Sequence, residues 1–97
     1  MRTGAKAGTR TAVVYLAKTG DATSMTGFAV SRAVGGAVVR NQVTRRLRAI
    51  MADELEHLPH GSRVVLRALP AAATVGFDEL KADVVGGLRR ALAKADA

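Results

Sequence analysis

Apolar positions along the chain change their period three times, and each change predicts a different element. Thr11–Ala17 (Thr-Ala-Val-Val-Tyr-Leu-Ala) is β-branched and aromatic at its centre, which predicts a strand. Thr26–Arg32 predicts a second strand, because Phe28 and Val30 alternate with small residues. The turn-rich stretch Thr19-Gly20-Asp21-Ala22-Thr23-Ser24 between them suits a hairpin. After Gly35-Gly36 the period lengthens: Val39, Val43, Leu47 and Ile50 recur at helical spacing, so a helix is expected near 38–58, stopped by Pro59-His60-Gly61. Arg63–Ala68 predicts a third strand, an apolar run of the kind buried on both faces, ended by Leu69-Pro70. A last helix is expected over 77–95, with Leu80, Val84, Leu88 and Leu92 as its apolar stripe. Its acids Asp78 and Glu79 lie in the first turn and Arg89, Arg90 and Lys94 near the end, which complements the helix dipole. Gly86 and Gly87 either weaken it by ~1 kcal/mol each or mark a close approach to the sheet. Residues 1–10 are small and basic without a period and are expected to fray.

Strand, strand, helix, strand, helix predicts an α/β (α+β) sandwich, a small mixed sheet packed against helices. Ninety-seven residues make a single domain, 1–97, with neither internal repeats nor a dividing linker. Phe28, Phe77 and Tyr15 are the only aromatics, so the core depends on aliphatic packing and no base-stacking platform is evident. The basic helix is expected to lie along the sheet, leaving a groove between the two as a binding surface.

Charge changes this picture. Residues 1–48 carry nine Lys/Arg against the one acid Asp21, a net of +8, whereas residues 49–97 carry six against seven, a net of −1. The excess concentrates in Arg40–Arg48, where Arg40, Asn41, Arg45, Arg46 and Arg48 fall within nine residues. At about 100° per residue, Asn41, Arg45 and Arg48 share one side of the helix, opposite Val39, Val43, Leu47 and Ile50. Arginines at a helix start, with Asp53, Glu54 and Glu56 near its end, oppose the dipole at a cost of a few tenths to ~1 kcal/mol per charge. A polyanion docked on the first turns would reverse the sign of that cost.

Other chemistry is sparse. The chain has no cysteine, hence neither a disulfide nor a thiolate metal site. His57 and His60 lack a third ligand at metal-binding spacing and read as exposed helix-end residues, so no metal or cofactor held by the protein is expected. No nucleophile stands beside a base, the acids lie on helix faces, and catalysis by the protein itself is not expected. No apolar run approaches the ~20 residues of a membrane span, nor does a signal-peptide core follow the N-terminus. A cytoplasmic protein without a membrane partner is the expectation.

Gly27-Phe28-Ala29-Val30-Ser31-Arg32, Val34-Gly35, Ala37-Val38-Val39-Arg40-Asn41 and Arg45-Arg46-Leu47-Arg48 follow one another without a gap. This block closely resembles the signature of the bacterial ribonuclease P protein component: Gly-Phe-x-Val-Ser-Lys-Lys-Val-Gly, an Ala-Val-x-Arg-Asn core, then Lys-Arg-x-x-Arg. Val64–Ala68, Pro70 and the Leu-rich last helix extend the resemblance over about 4–95. It implies the small subunit of a ribonucleoprotein endonuclease that removes the 5′ leader of precursor tRNA, with hydrolysis performed by the RNA subunit and its magnesium. The implied partners are that catalytic RNA and precursor tRNA, without an obligate protein partner. It also implies a left-handed β-α-β crossover, against the usual rule. Carried over by position, Arg32, Arg40, Asn41, Arg45, Arg46 and Arg48 would contact the catalytic RNA, and Tyr15, Phe28 and Arg67 would line the leader cleft. Such contacts position phosphates more than they read bases. The chain departs from the pattern at Ala33, Gly36, Gln42 and Thr44, where the family is commonly basic or polar. The family's first helix, with aromatics facing the leader, should be ending where this sequence starts, so that helix is expected to be absent.

From the residues alone two other classes stay open. A non-catalytic RNA-binding module of ribosomal or architectural type explains the charge asymmetry equally well, but not the ungapped glycine-phenylalanine block. A membrane-surface helix over 39–58 is disfavoured by its weak apolar stripe, which lacks Trp and Phe.

Overall fold

The computed structural model describes residues 4–19 and 23–96. Four strands, β1 (Ala5–Gly8), β2 (Ala12–Lys18), β3 (Met25–Ala29) and β4 (Ser62–Ala68), form one sheet with two long helices, α1 (Ala37–Glu54) and α2 (Phe77–Asp96). The expected turn over 19–24 falls partly outside the described residues.

The order across the sheet is β1-β2-β4-β3, and only the β3–β4 pair is parallel. This corrects the expected hairpin of the first two predicted strands: β4 inserts between them, with Val14 opposite Leu66 and Phe28 beside the same Leu66. The parallel pair is joined through α1, making a β-α-β unit. A second correction concerns β4. Its residues alternate strictly, Ser62, Val64, Leu66 and Ala68 buried and Arg63, Val65 and Arg67 exposed, so only one face is covered. The continuous apolar appearance came from Val65 alone, which is 38% exposed.

Both helices cover that one face. Ala12, Val14 and Leu16 of β2, Val64 and Leu66 of β4, Val43, Leu47, Ile50 and Met51 of α1, and Leu80, Val84, Leu88 and Ala91 of α2 form one core. The expected stripes therefore hold, with Leu92 and Val39 half-buried at their margins. Helix α1 ends earlier than expected, at Glu54, and a single 3-10 turn over Leu55–His57 leads to Pro59. Gly87 is the close approach: a Cβ built there would lie 2.7 Å from Val14 Cγ2.

Residues 4–10 do not fray, against expectation; the first three lie outside the described residues. Thr9 donates its N–H to Ala12 O at 2.8 Å and closes a tight turn, which sets Ala7 and Ala5 as the bonded partners of β2 and turns the carbonyls of Gly8 and Lys6 outward. Arg90 Nη2 donates to Gly8 O at 2.9 Å and Lys94 Nζ to Lys6 O at 2.7 Å. One turn of α2 thus matches two residues of strand, and basic side chains occupy the acceptors of an otherwise open sheet edge. At the other end of the same helix, Glu79 pairs with Arg10 at 2.7 Å and Asp83 accepts from Thr11 Oγ1 at 2.6 Å.

Candidate nucleic-acid interface

Two surfaces carry the candidate residues. The first is the outward side of α1. Asn41, Arg45 and Arg48 are exposed there together, as helical geometry requires. Among the described residues none of the guanidiniums of Arg32, Arg40, Arg45 and Arg48 meets a carboxylate; the ion pairs lie elsewhere, at Arg10–Glu79, Lys18–Asp96 and Glu56–His57. The first turn of α1 holds no acid, the last holds no base, and the N-cap Gly36 supplies no side-chain acceptor to the first amides. Only Arg40 stands in the first turn, where the dipole adds its positive potential; Arg45 and Arg48 lie further along the helix.

Neighbouring residues shape that end. Val34 N–H donates to Ser31 O and Gly35 N–H to Arg32 O, both at 3.1 Å, so the chain turns tightly just before Gly36 and leaves Arg32 exposed beside the helix start. Gly35 is required by proximity, since a Cβ on it would meet Val39 Cγ1 at 2.8 Å. Arg40 is half-buried, and its Nε is enclosed without an acceptor among the described residues. The Arg48 guanidinium lies 5.8 Å from the centre of the Phe28 ring, a cation–π contact that joins α1 to β3.

Arg46 departs from the expected group. It sits roughly 160° around the helix from Arg48, is half-buried, and donates from Nη1 to Val75 O at 3.2 Å. That bond ties α1 to the loop before α2, and Arg46 stands apart from the exposed ridge.

The second surface is the sheet face that no helix covers. Register places Lys6, Tyr15, Val65 and Gly27 in one row across it, with Arg63 and Arg67 on either side of Val65 along β4. Tyr15 is half-buried and lines a shallow depression of about 350 Å³ with Lys6, Ala17, Arg63 and Val65; Arg63 and Val65 also border a second of about 190 Å³ beside Met25. Tyr15 and Arg67 thus share a face, as expected for a cleft. Phe28 does not: paired with Leu66, it points to the helix side and packs against the core. The expected groove between α1 and the sheet is likewise filled by core side chains; on the helix side a depression of about 380 Å³ lies instead between the end of α1 and α2, bordered by Glu54, His57 and Arg89, and the Tyr15 depression lies on the opposite face. Lys6 and Arg63 went unnoticed in the sequence, although Arg63-x-Val65-x-Arg67 carries the two-residue alternation that would have found Arg63.

His57 and His60 are exposed, and among the described residues no group of three His, Cys, Asp or Glu side chains could hold a metal ion. No helix is long and apolar enough to cross a membrane.

Comparison with known proteins adds an independent line. The family model described as Ribonuclease P matches residues 1–92. The ribonuclease P protein component of Kocuria rhizophila is 48% identical over 83 residues, covering 86% of this chain and 74% of its own length. That of Micrococcus luteus is 46% identical over 103 aligned positions, covering 94% and 78%. That of Streptomyces bikiniensis reaches 56% over 66 residues, covering 68% of this chain and 54% of its own length. Among solved structures, the Staphylococcus aureus RNase P protein superposes with a TM-score of 0.81 at 22% identity, covering 91% of this chain and 81% of that one. The Thermotoga maritima RNase P protein in complex with 1-(4-fluorophenyl)-2-thiourea gives 0.76 at 24%, covering 86% and 81%. These two likenesses establish the fold.

Proposed function

The chain belongs to the ribonuclease P protein family, and from that premise we propose that it is the protein subunit of a bacterial ribonuclease P, working in the cytoplasm on the 5′ leader of precursor tRNA. The observation that carries the proposal is the ridge of Asn41, Arg45 and Arg48, exposed together on the outward side of α1 and free of carboxylates among the described residues. A ridge of this kind binds phosphates by charge and by forked hydrogen bonds, and its assigned partner is the catalytic RNA. Arg32 and Arg40 flank it. The uncovered sheet face is assigned to the leader: Tyr15 offers an aromatic surface, and Lys6, Arg63 and Arg67 offer cations without a base-reading constellation. Such a face suits a strand of no fixed sequence. Phosphodiester hydrolysis is assigned to the RNA subunit, with magnesium bound there and not by this chain.

The test is cleavage of precursor tRNA by a bacterial ribonuclease P RNA at low magnesium, with and without the protein. Added protein should raise the rate, because it supplies positive charge that magnesium otherwise provides. A folded sample that leaves the rate unchanged would remove the proposal. Tighter binding to plain duplex DNA than to the RNA subunit would favour an architectural role instead.

A further inference from the structure

Four large hydrophobic side chains are exposed among the described residues: Met25 (58%), Val38 (83%), Val65 (38%) and Phe77 (38%). Met25 and Val65 lie at the depressions of the uncovered sheet face, and Phe77 opens α2. Val38 is the most exposed and stands on α1. It begins the ridge: Asn41 and Gln42 follow one turn later, and Arg45, seven residues on, returns to within about 20° of it. All of these neighbours are exposed, and so are Gly36 and Ala37, which keep the surface around Val38 low.

Folding does not explain this side chain. It lies outside the core, and a β-branched residue on an exposed helix is less favourable than alanine by a few tenths of a kcal/mol. Lone surface hydrophobes are common, but this one stands between the uncapped first turn and the exposed Asn41 and Arg45, on the side proposed to dock on RNA. Phosphates held by Arg45 would bring the adjoining bases and riboses against Val38. Isopropyl groups gain little beside phosphate and much against the flat face of a base that is out of its helical stack. In a regular RNA duplex the bases are stacked and only backbone is within reach.

Resting on the proposed docking of α1 on RNA, we infer that Val38 is an apolar contact for an unstacked nucleobase of the RNA partner, and that it makes the ridge prefer folded RNA over plain duplex. Charge and apolar contact separate in a salt titration. Removing a phosphate-binding cation lowers the slope of log K against log salt by about 0.9 or less, whereas losing an apolar contact shifts the line without tilting it.

The experiment measures binding of the full chain and of Val38→Ala to a ribonuclease P RNA transcript and to a plain RNA duplex across a range of salt, with Arg45→Ala in parallel. Alanine is the better helix former, so Val38→Ala should keep its melting temperature. Its affinity for the folded RNA should fall about five- to tenfold, as expected for deleting two partly buried methyl groups, with the slope and the duplex affinity unchanged. Arg45→Ala should flatten the slope on both RNAs. Val38→Ala binding the folded RNA as the parent does, or losing equally on both RNAs, would overturn the inference. If Arg45→Ala has effect and Val38→Ala has none, the inference alone fails. If neither has effect, the docking of α1 fails and takes the inference with it.

Discussion

Tyr15 and Phe28 are the aromatic side chains of the sheet, and the β2–β4–β3 register sends them to opposite faces. Their replacement should therefore separate binding from stability. Phe28→Ala removes a half-buried ring that packs on the core and carries the Arg48 guanidinium, and should cost about 2 kcal/mol in denaturant unfolding. Tyr15→Ala leaves the core intact and should change stability by less than ~1 kcal/mol, while weakening capture of leader-bearing precursor relative to mature tRNA. Equal stability losses would mean that Tyr15 also supports the fold, and the assignment of its face would fall. Sequence alone could not separate these two residues, because the face that a strand residue occupies depends on which strand it pairs with. Asn41, Arg45 and Arg48 were legible for the opposite reason: their alignment follows from helix geometry and needs no partner. Arg46 shows where that advantage ends, since its bond to Val75 spans 29 residues of chain.

Glycines in α2 give a test of how closely helix and sheet approach. Gly86 and Gly87 cost the same in helix propensity, yet only Gly87 faces β2, with Val14 Cγ2 2.7 Å and Thr9 Cγ2 3.5 Å from where its Cβ would be. At Gly86 the nearest atom is the flexible Arg90 Nη1, at 3.8 Å. Gly86→Ala should stabilise by about 0.5–1 kcal/mol, and Gly87→Ala should destabilise by about 1–3 kcal/mol because β2 must give way. Thermal or denaturant unfolding of both variants reads the sign directly. If Gly87→Ala also stabilised, the packing of α2 on β2 would be looser than described. Helices were legible in the chain, stripe and approximate ends alike, because their contacts repeat locally. Strand β1 was not: Ala5-Lys6-Ala7-Gly8 has little strand propensity, and it is held by β2 on one edge and by Arg90 and Lys94 on the other. Helix α1 also hid the pairing of β3, for nothing local distinguishes a strand that returns to its neighbour from one that leaves room for β4.

Across the whole molecule the decisive fact is that both helices lie on one side of the sheet. The cationic ridge belongs to the helical layer and the Tyr15 face to the bare side, so the two nucleic-acid contacts proposed for this chain would not compete for one surface. Overall charge was legible from the first half of the sequence, but its division between two surfaces needed the topology, since Lys6, Arg63 and Arg67 join Tyr15 only when β4 lies at the centre. Separation has an energetic consequence. Sites with a core between them and no shared partner act independently, and their mutational effects add within about 0.5 kcal/mol. Arg45→Ala should weaken assembly with the RNA subunit to the same degree whether the substrate carries a leader or is mature tRNA. Arg63→Ala should leave assembly unchanged and lower only the preference for the leader, with a shallower salt dependence. The double variant should then show the sum of the two losses in forming the complex of protein, RNA subunit and precursor from its free components. A coupling beyond ~1 kcal/mol in that cycle would mean that ridge and sheet grip one continuous segment, and the two-surface arrangement would have to be abandoned.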